Sequence, residues 1–100
     1  MAQVIWTEPA TAQLDAIAGV IELDKPEAAR AVVKRVFEET DRLGDLPRLG
    51  RVIPEFRHPD YRQLWVKPTW IYYRASADAV YILHIRRAEM PLDPTALLAR

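Results

Sequence analysis

The first half of the chain shows apolar residues at the spacing of two amphipathic helices. After Thr7, a suitable N-terminal cap, the apolar positions recur three and four residues apart. This first stripe consists of Ala10, Leu14, Ile17, Ala18 and Ile21. The second stripe follows the tetrapeptide DKPE and consists of Ala29, Val32, Val33, Val36, Phe37, Thr40 and Leu43. Because the turn between the two stripes is so short, we expect an antiparallel helical hairpin.

The remainder of the chain changes to the pattern of β-strands. A short apolar segment, QVIW, precedes the first helix, and three β-rich segments (YRQLWV, WIYYRA and VYILHIR) follow the hairpin with short turns between them. The segment RVIPEF suits an edge strand, since Pro54 has no N–H for a strand ladder. The last eight residues, DPTALLAR, predict a short helix, with Asp93 as its cap and Leu97 and Leu98 as docking residues.

These elements predict an α+β fold. An N-terminal strand and an α-helical hairpin are expected to pack on a three- to four-stranded antiparallel sheet, followed by a short C-terminal helix. We expect one domain over residues 1–100, because a chain of this length supports one core. The hairpin covers one face of this sheet, and the other face is expected to be concave and partly open.

The composition excludes several classes of function. The 14 basic and 14 acidic residues cancel, which argues against a surface that grips nucleic acid over its whole extent. The sequence has no cysteine, and its two histidines, His58 and His84, do not make a zinc site. No apolar segment approaches the roughly 18 residues of a membrane span. We therefore expect a cytoplasmic protein without a metal, a cofactor or a membrane partner.

The β-rich segments carry most of the aromatic residues together with several arginines. Alternation along WIYYRA places Trp70, Tyr72 and Arg74 on one face of the strand, opposite a core face with Ile71 and Tyr73. A face of aromatic rings and arginines suits the stacking and neutralisation of RNA. The alternative is structural, because aromatic residues favour strands in general and each arginine can pair with a carboxylate. The residues alone leave both interpretations open.

The end of the last strand is cationic. Arg87 lies two residues before Glu89 and can form an ion pair with it, whereas the adjacent Arg86 is expected to be a free basic contact. Substitution of Arg86 should then leave folding nearly intact, while loss of Arg87 should break a partly buried pair. His84 lies just inside the apolar strand, where a histidine is more often structural than functional.

The segments LPRLGRVIPEF, YRQLWV, YYR and VYILHIRRAE, in this order and spacing, resemble the RelE/ParE superfamily of bacterial toxins. Such toxins belong to toxin–antitoxin pairs and are often described as plasmid stabilisation proteins. The resemblance covers nearly the whole chain, and the family's fold, a helical hairpin on an antiparallel sheet, agrees with the order of elements above. It implies a cognate antitoxin protein as a partner. A second copy of the chain, in a homodimer, is a further candidate partner.

The superfamily contains two functions, and the resemblance implies which positions separate them. Members of the RelE branch are ribosome-dependent mRNA endonucleases that use basic residues and commonly a tyrosine on the sheet. Members of the ParE branch lack that set and inhibit DNA gyrase. In this sequence Trp70 stands where the nuclease branch has an arginine and Leu64 where it has a lysine, and no tyrosine follows Tyr81. Arg62 keeps the charge of another lysine position.

The resemblance therefore implies a chain closer to the ParE branch. We expect a non-enzymatic toxin without catalytic residues, which inhibits growth by binding DNA gyrase. The alternative is a RelE-type endonuclease, with the ribosome and mRNA as partners. The residues expected to contact the target or the antitoxin are Arg62, Trp70, Arg74, His84, Arg86 and Arg87.

Overall fold

Two helices pack against one face of a five-stranded sheet in the structure, a computed structural model that describes residues 2–97. The strands are β1 (Gln3–Trp6), β2 (Arg51–Val52), β3 (Tyr61–Val66), β4 (Thr69–Ala75) and β5 (Ala79–Arg87). The helices are α1 (Glu8–Asp24) and α2 (Pro26–Asp41), and short 3₁₀ turns cover Arg42–Gly44 and Pro94–Leu97. The predicted α+β architecture is confirmed. Within residues 2–97, no helix has the length and apolar character needed to cross a membrane.

The N-terminal strand joins the sheet, so the sheet has more strands than the pattern predicts. The strand order is β1-β5-β4-β3-β2, with β1 parallel to β5 and the other neighbours antiparallel. Four strands form the predicted antiparallel part, and β1 adds a parallel fifth. Val4 pairs with Val80 and Trp6 pairs with Ile82. This pairing covers the edge of β5, which would otherwise present unpaired backbone groups.

Thr7 fixes the junction between β1 and α1 through the sheet. It is the N-cap residue of α1, but its side chain makes no capping hydrogen bond. Instead the N–H and the hydroxyl of Thr7 both donate to the carbonyl of Ile82, at 3.1 and 2.7 Å. The prediction that the Thr7 side chain caps α1 is wrong, because its hydroxyl is directed toward the carbonyl of Ile82 in β5. The predicted cap at Asp93 is confirmed, since its Oδ1 accepts the N–H of Thr95 at 3.0 Å.

The helix-covered face of the sheet carries the larger core. Its buried residues are Ala10, Leu14, Ile17, Val32, Val36, Leu43, Val66, Ile71, Tyr73, Val80, Ile82 and Ile85. Both predicted helical stripes contribute to it, and β4 presents Ile71 and Tyr73 as its alternation predicts. Burial of this aliphatic surface is the main stabilising contribution to the fold.

The opposite face, called here the second face, is partly covered by the chain itself. Tyr72 and Leu83 pack there with Ile53 and Leu97, and these four residues are buried. The open surface is therefore smaller than predicted, because the chain folds back over the sheet after β5. Leu97 is 1% exposed, as expected of a docking residue, whereas Leu98 lies outside the described residues.

Candidate functional site

A β-bulge brings His84 onto the second face. Tyr73 pairs with Ile82, but the preceding Tyr72 pairs with His84, so that β5 has one extra residue, Leu83, at this point. The ring centroids of His84 and Tyr72 are 5.8 Å apart. The extra residue changes which side chains of β5 point toward each face. His84 therefore lies beside the aromatic residues of β4 and not within the larger core.

The surroundings of His84 favour its neutral form. Burial lowers the pKa of His84, the charge of Arg86 lowers it further, and the carboxylate of Asp93 opposes the shift. Burial also raises the pKa of Tyr72, although a hydrogen bond from Arg86 acts against the rise. Near neutral pH this part of the second face therefore has an uncharged imidazole and an uncharged phenol beside one permanent cation.

The guanidinium of Arg86 is bound within the protein. Its Nε donates to the hydroxyl of Tyr72 at 2.8 Å. Its Nη1 donates to the carbonyl oxygens of Arg87 at 3.3 Å and Ala88 at 3.1 Å, and also to that of Met90. The expectation that Arg86 is a free basic contact is wrong, because the chain that leaves β5 turns its carbonyl groups toward this side chain. From here on, residues 88–97, which follow β5, are called the C-terminal segment, and Arg86 fastens the start of this segment to the second face.

Arg87 makes the predicted ion pair, but the acidic partner is exposed. Its Nε lies 3.2 Å from Oε2 of Glu89, whose side chain is 63% exposed. The contact lacks hydrogen-bond alignment, since this buried Nε has no hydrogen-bond partner among the described residues. Exposed pairs contribute about 0–1 kcal/mol. Arg87 was expected to be held by an ion pair and Arg86 to be free. The structure shows the reverse, because Arg86 is the more firmly bound of the two.

Arg62 lies on the side of the helix-covered face and holds the segment before β2. It is opposite Tyr73 in the strand register. Its Nη1 donates to the carbonyl of Gly50 at 2.9 Å, and its Nε donates to that of Pro59 at 3.1 Å. The hydroxyl of Tyr73 accepts the N–H of Gly50 at 2.8 Å and donates to the carbonyl of Pro47 at 2.7 Å. These bonds pin the loop and occupy the guanidinium of Arg62.

Trp70 and Arg74 lie on the face predicted for them. Trp70 contacts Trp65, directly opposite on β3, with ring centroids 5.0 Å apart and planes tilted by 52°. The guanidinium carbon of Arg74 lies 4.6 Å from the ring centroid of Tyr81. A cleft of about 480 Å³ opens at the tryptophan pair. Sequence reasoning missed Trp65, although the tight turn between YRQLWV and WIYYRA was a sign that it would face Trp70.

The structure brings together only part of the predicted site. His84 and Arg86 meet at Tyr72, which we call the Tyr72 cluster, and Trp70 is opposite Arg86 in the register of β4 and β5. Arg62 belongs to the other side of the sheet. Within residues 2–97, no group of three histidine, cysteine, aspartate or glutamate residues is placed to hold a metal ion. The second face can therefore offer aromatic surface and hydrogen-bonding groups to a partner.

Comparison with known proteins agrees with this fold over most of the chain. The family described as "ParE toxin of type II toxin-antitoxin system, parDE" matches residues 4–92. The protein "Toxin RelE2" of Caulobacter vibrioides is 36% identical over 89 residues, which cover 88% of this chain and 97% of that protein. A solved structure titled "Chromosomal ParDE TA system from P. aeruginosa" superposes with a TM-score of 0.74 at 29% identity, covering 89% of this chain and 98% of that one.

Proposed function

We propose a target for this chain from the premise that it belongs to the RelE/ParE superfamily, as the toxin of a type II toxin–antitoxin system. The proposed target is DNA gyrase, to which the toxin binds and thereby inhibits growth. The toxin inhibits gyrase by binding alone and cleaves no bond of it. Membership of such a system implies a cognate antitoxin, which neutralises the toxin by binding it.

The observation that carries the proposal is the contact between Trp70 and Trp65. The resemblance to the nuclease branch places a catalytic arginine at the position of Trp70, where a cation would stabilise a charged phosphate. An indole ring has no such charge, and the loss of one stabilising donor typically costs about 3–4 kcal/mol of barrier lowering. Two adjacent indole rings at 5.0 Å suit contact with a protein, since tryptophan is enriched in the residues that dominate binding energy.

The other positions of the nuclease pattern support the same interpretation. Leu64, at a lysine position of that pattern, packs against the larger core. Arg62, at the other lysine position, donates to the backbone carbonyls of Gly50 and Pro59. Arg86 is likewise occupied by the C-terminal segment. A nuclease would need such cations directed at the RNA, whereas a binding toxin does not.

A supercoiling assay with purified DNA gyrase tests this proposal. Relaxed plasmid is incubated with gyrase and increasing toxin, and a parallel series contains toxin first mixed with an equal amount of the cognate antitoxin. We expect a dose-dependent loss of supercoiling that the antitoxin prevents. Full supercoiling at a large molar excess of folded toxin would reject gyrase as the target.

A ribosome-dependent mRNA endonuclease is the second candidate, and the Tyr72 cluster favours it. A neutral imidazole near a phenol and a guanidinium can in principle move a proton at a ribose hydroxyl. Primer extension on transcripts from cells that express the toxin tests this candidate. Cleavage within translated messages, abolished by His84→Gln in a variant that still folds, would favour the nuclease over the gyrase inhibitor.

A further inference from the structure

We propose that the outer edge of β3, together with the cleft at the Trp65–Trp70 pair, receives an extended acidic segment of the toxin's protein target as an added β-strand. We call this surface the β3 edge site. The inference rests on the proposed function only in taking the target to be a protein. It does not depend on that protein being gyrase.

The outer edge of β3 is only partly covered by β2. The two residues of β2 pair with Arg62 and Gln63. From Leu64 to Val66, β3 pairs with β4 on its inner side and has no strand on its outer side in the described part of the chain. An uncovered strand edge presents N–H and C=O groups, which an extended peptide can pair with by β-augmentation.

The direction of the backbone groups follows from the bond at the start of β3. The N–H of Ile53 donates to the carbonyl of Tyr61 at 3.2 Å, so Tyr61 turns its backbone groups toward β2. In an antiparallel pair this direction repeats at every second residue, which brings the backbone groups of Gln63 and Trp65 to the same edge. Gln63 is opposite Arg51 of β2. Trp65 therefore directs its N–H and C=O into the uncovered part of the edge.

The segment before β2 is held away from pairing with Trp65. The N–H of Gly50 donates to the hydroxyl of Tyr73 at 2.8 Å, and the N–H of Leu49 donates to the carbonyl of Leu46 at 3.0 Å. Both donors that precede Arg51 are thus used elsewhere. The open edge is a consequence of this loop geometry, and a strand from another protein can occupy it without displacing one of the toxin's own.

The side chains at the β3 edge site suit a protein partner. Trp65 is 45% exposed although its ring also contacts Trp70, and Leu49 beside it is 37% exposed. A large aromatic side chain that is half buried in the free protein and next to an apolar cleft is typical of the few residues that dominate binding energy. Backbone pairing would supply affinity, and the cleft of about 480 Å³ would select the side chain that enters it.

The charge of the β3 edge site indicates an acidic segment. Arg51 is the one charged residue that lines this cleft, and its guanidinium has no hydrogen bond or ion pair among the described residues. By contrast, the cleft between α1 and the C-terminal segment is lined by Arg86 and Arg87 together with Asp93. An unpaired cation beside an exposed tryptophan suits a carboxylate on the partner. The phosphates of RNA could also bind this cation, but RNA cannot form the backbone hydrogen bonds of an added strand. The observations therefore favour a peptide.

Growth inhibition in cells tests the inference without reference to the identity of the target. Trp65→Ala removes the exposed ring, and Arg51→Glu reverses the free charge. The matched controls are Leu23→Ala, at an apolar side chain of α1 that is 89% exposed, and Arg30→Glu, at an exposed arginine of α2. We expect each β3-edge variant to need about tenfold or more toxin to halve growth, and each control to act like the wild type. Thermal melting and antitoxin binding should stay close to wild type in all four variants.

Three results would overturn the inference. The first is full toxicity of both β3-edge variants at normal melting temperature, and the second is loss of antitoxin binding with toxicity retained, which would give the surface to the antitoxin. The third is salt-dependent quenching of the fluorescence of Trp65 by a single-stranded RNA oligonucleotide, absent in Arg51→Glu.

If Trp65→Ala does not fold, Arg51→Glu alone decides, since the side chain of Arg51 is exposed. Gyrase inhibition by wild type with undiminished toxicity of the variants would reject this site and leave the proposed function intact.

Discussion

The two faces of the sheet are held in different ways. On the helix-covered face, aliphatic residues such as Val36, Ile71 and Ile82 are fully buried between the strands and the two helices. On the second face, a small buried group around Tyr72 is joined to the C-terminal segment by the hydrogen bonds of Arg86. The first arrangement depends on apolar area and the second on a few directed bonds.

This difference suggests that the two faces have different roles, one in stability and one in binding. Opening a large apolar core costs much free energy, because it exposes a large apolar surface to water. Directed bonds at the margin of a small core can open locally at a much lower free energy than global unfolding. The residues that the resemblance assigns to function lie mostly on the second face or its edges. We therefore infer that the helix-covered face provides stability and the second face provides contacts with partners.

The largest expected effect comes from removing a buried side chain of the helix-covered face. Ile82→Ala leaves a cavity between β5 and its neighbours and should lower the free energy of unfolding by about 2–5 kcal/mol. For a domain of this size the melting temperature should fall by roughly 10 °C or more. The control Leu23→Ala should change the free energy of unfolding by less than about 0.5 kcal/mol. A change below 1 kcal/mol in Ile82→Ala would show that this face is not the main source of stability.

An intermediate effect is expected from the two arginines at the end of β5. Arg86→Ala leaves the hydroxyl of Tyr72 and several backbone carbonyls without a donor, and should cost about 1–3 kcal/mol in chemical denaturation. Arg87→Ala removes only a pair with the exposed Glu89 and should cost less than about 1 kcal/mol. A larger loss of unfolding free energy in Arg87→Ala than in Arg86→Ala would contradict the conclusion that Arg86 holds the C-terminal segment on the second face.

The smallest effect is a dependence of stability on pH that arises from His84. Its pKa is lower in the folded protein than in the unfolded chain, so the unfolded state binds the proton more readily. The contribution of neutral His84 to stability is therefore fully present above the unfolded pKa of about 6.5 and is lost as the pH falls through the folded pKa. His84→Gln should reduce this decline between about pH 7 and pH 5, measured as the free energy of unfolding in chemical denaturation at each pH. Equal declines in wild type and His84→Gln would exclude His84 as the cause.

Local patterns predicted the helix-covered face well. Helical spacing gave both stripes of the hairpin, and strict alternation in WIYYRA separated Ile71 and Tyr73 from Trp70 and Tyr72. These predictions hold because apolar burial imposes a period on the sequence itself. The turn-rich second half likewise predicted the antiparallel order of β3, β4 and β5.

The second face was predicted less well, because its contacts have no local pattern. The acceptors of Arg86 are mostly backbone carbonyls, which every residue has, so the sequence shows an acidic partner for Arg87 and none for Arg86. The parallel pairing of β1 with β5 joins segments more than 70 residues apart. The bulge at Leu83 changes the face on which His84 lies, and no residue type in β5 predicts a bulge there. Neither residue type nor spacing along the sequence marks any of these features.

A binding titration between the purified toxin and DNA gyrase, with no ribosome, mRNA or plasmid present, tests the proposed target directly. We expect saturable binding by the wild type and clearly weaker binding by Trp70→Ala, because we propose that the tryptophan pair of the second face contacts the target. The Leu23→Ala control should bind like the wild type. Absence of binding to gyrase by folded toxin, together with binding to ribosomes, would reject gyrase as the target and favour the nuclease.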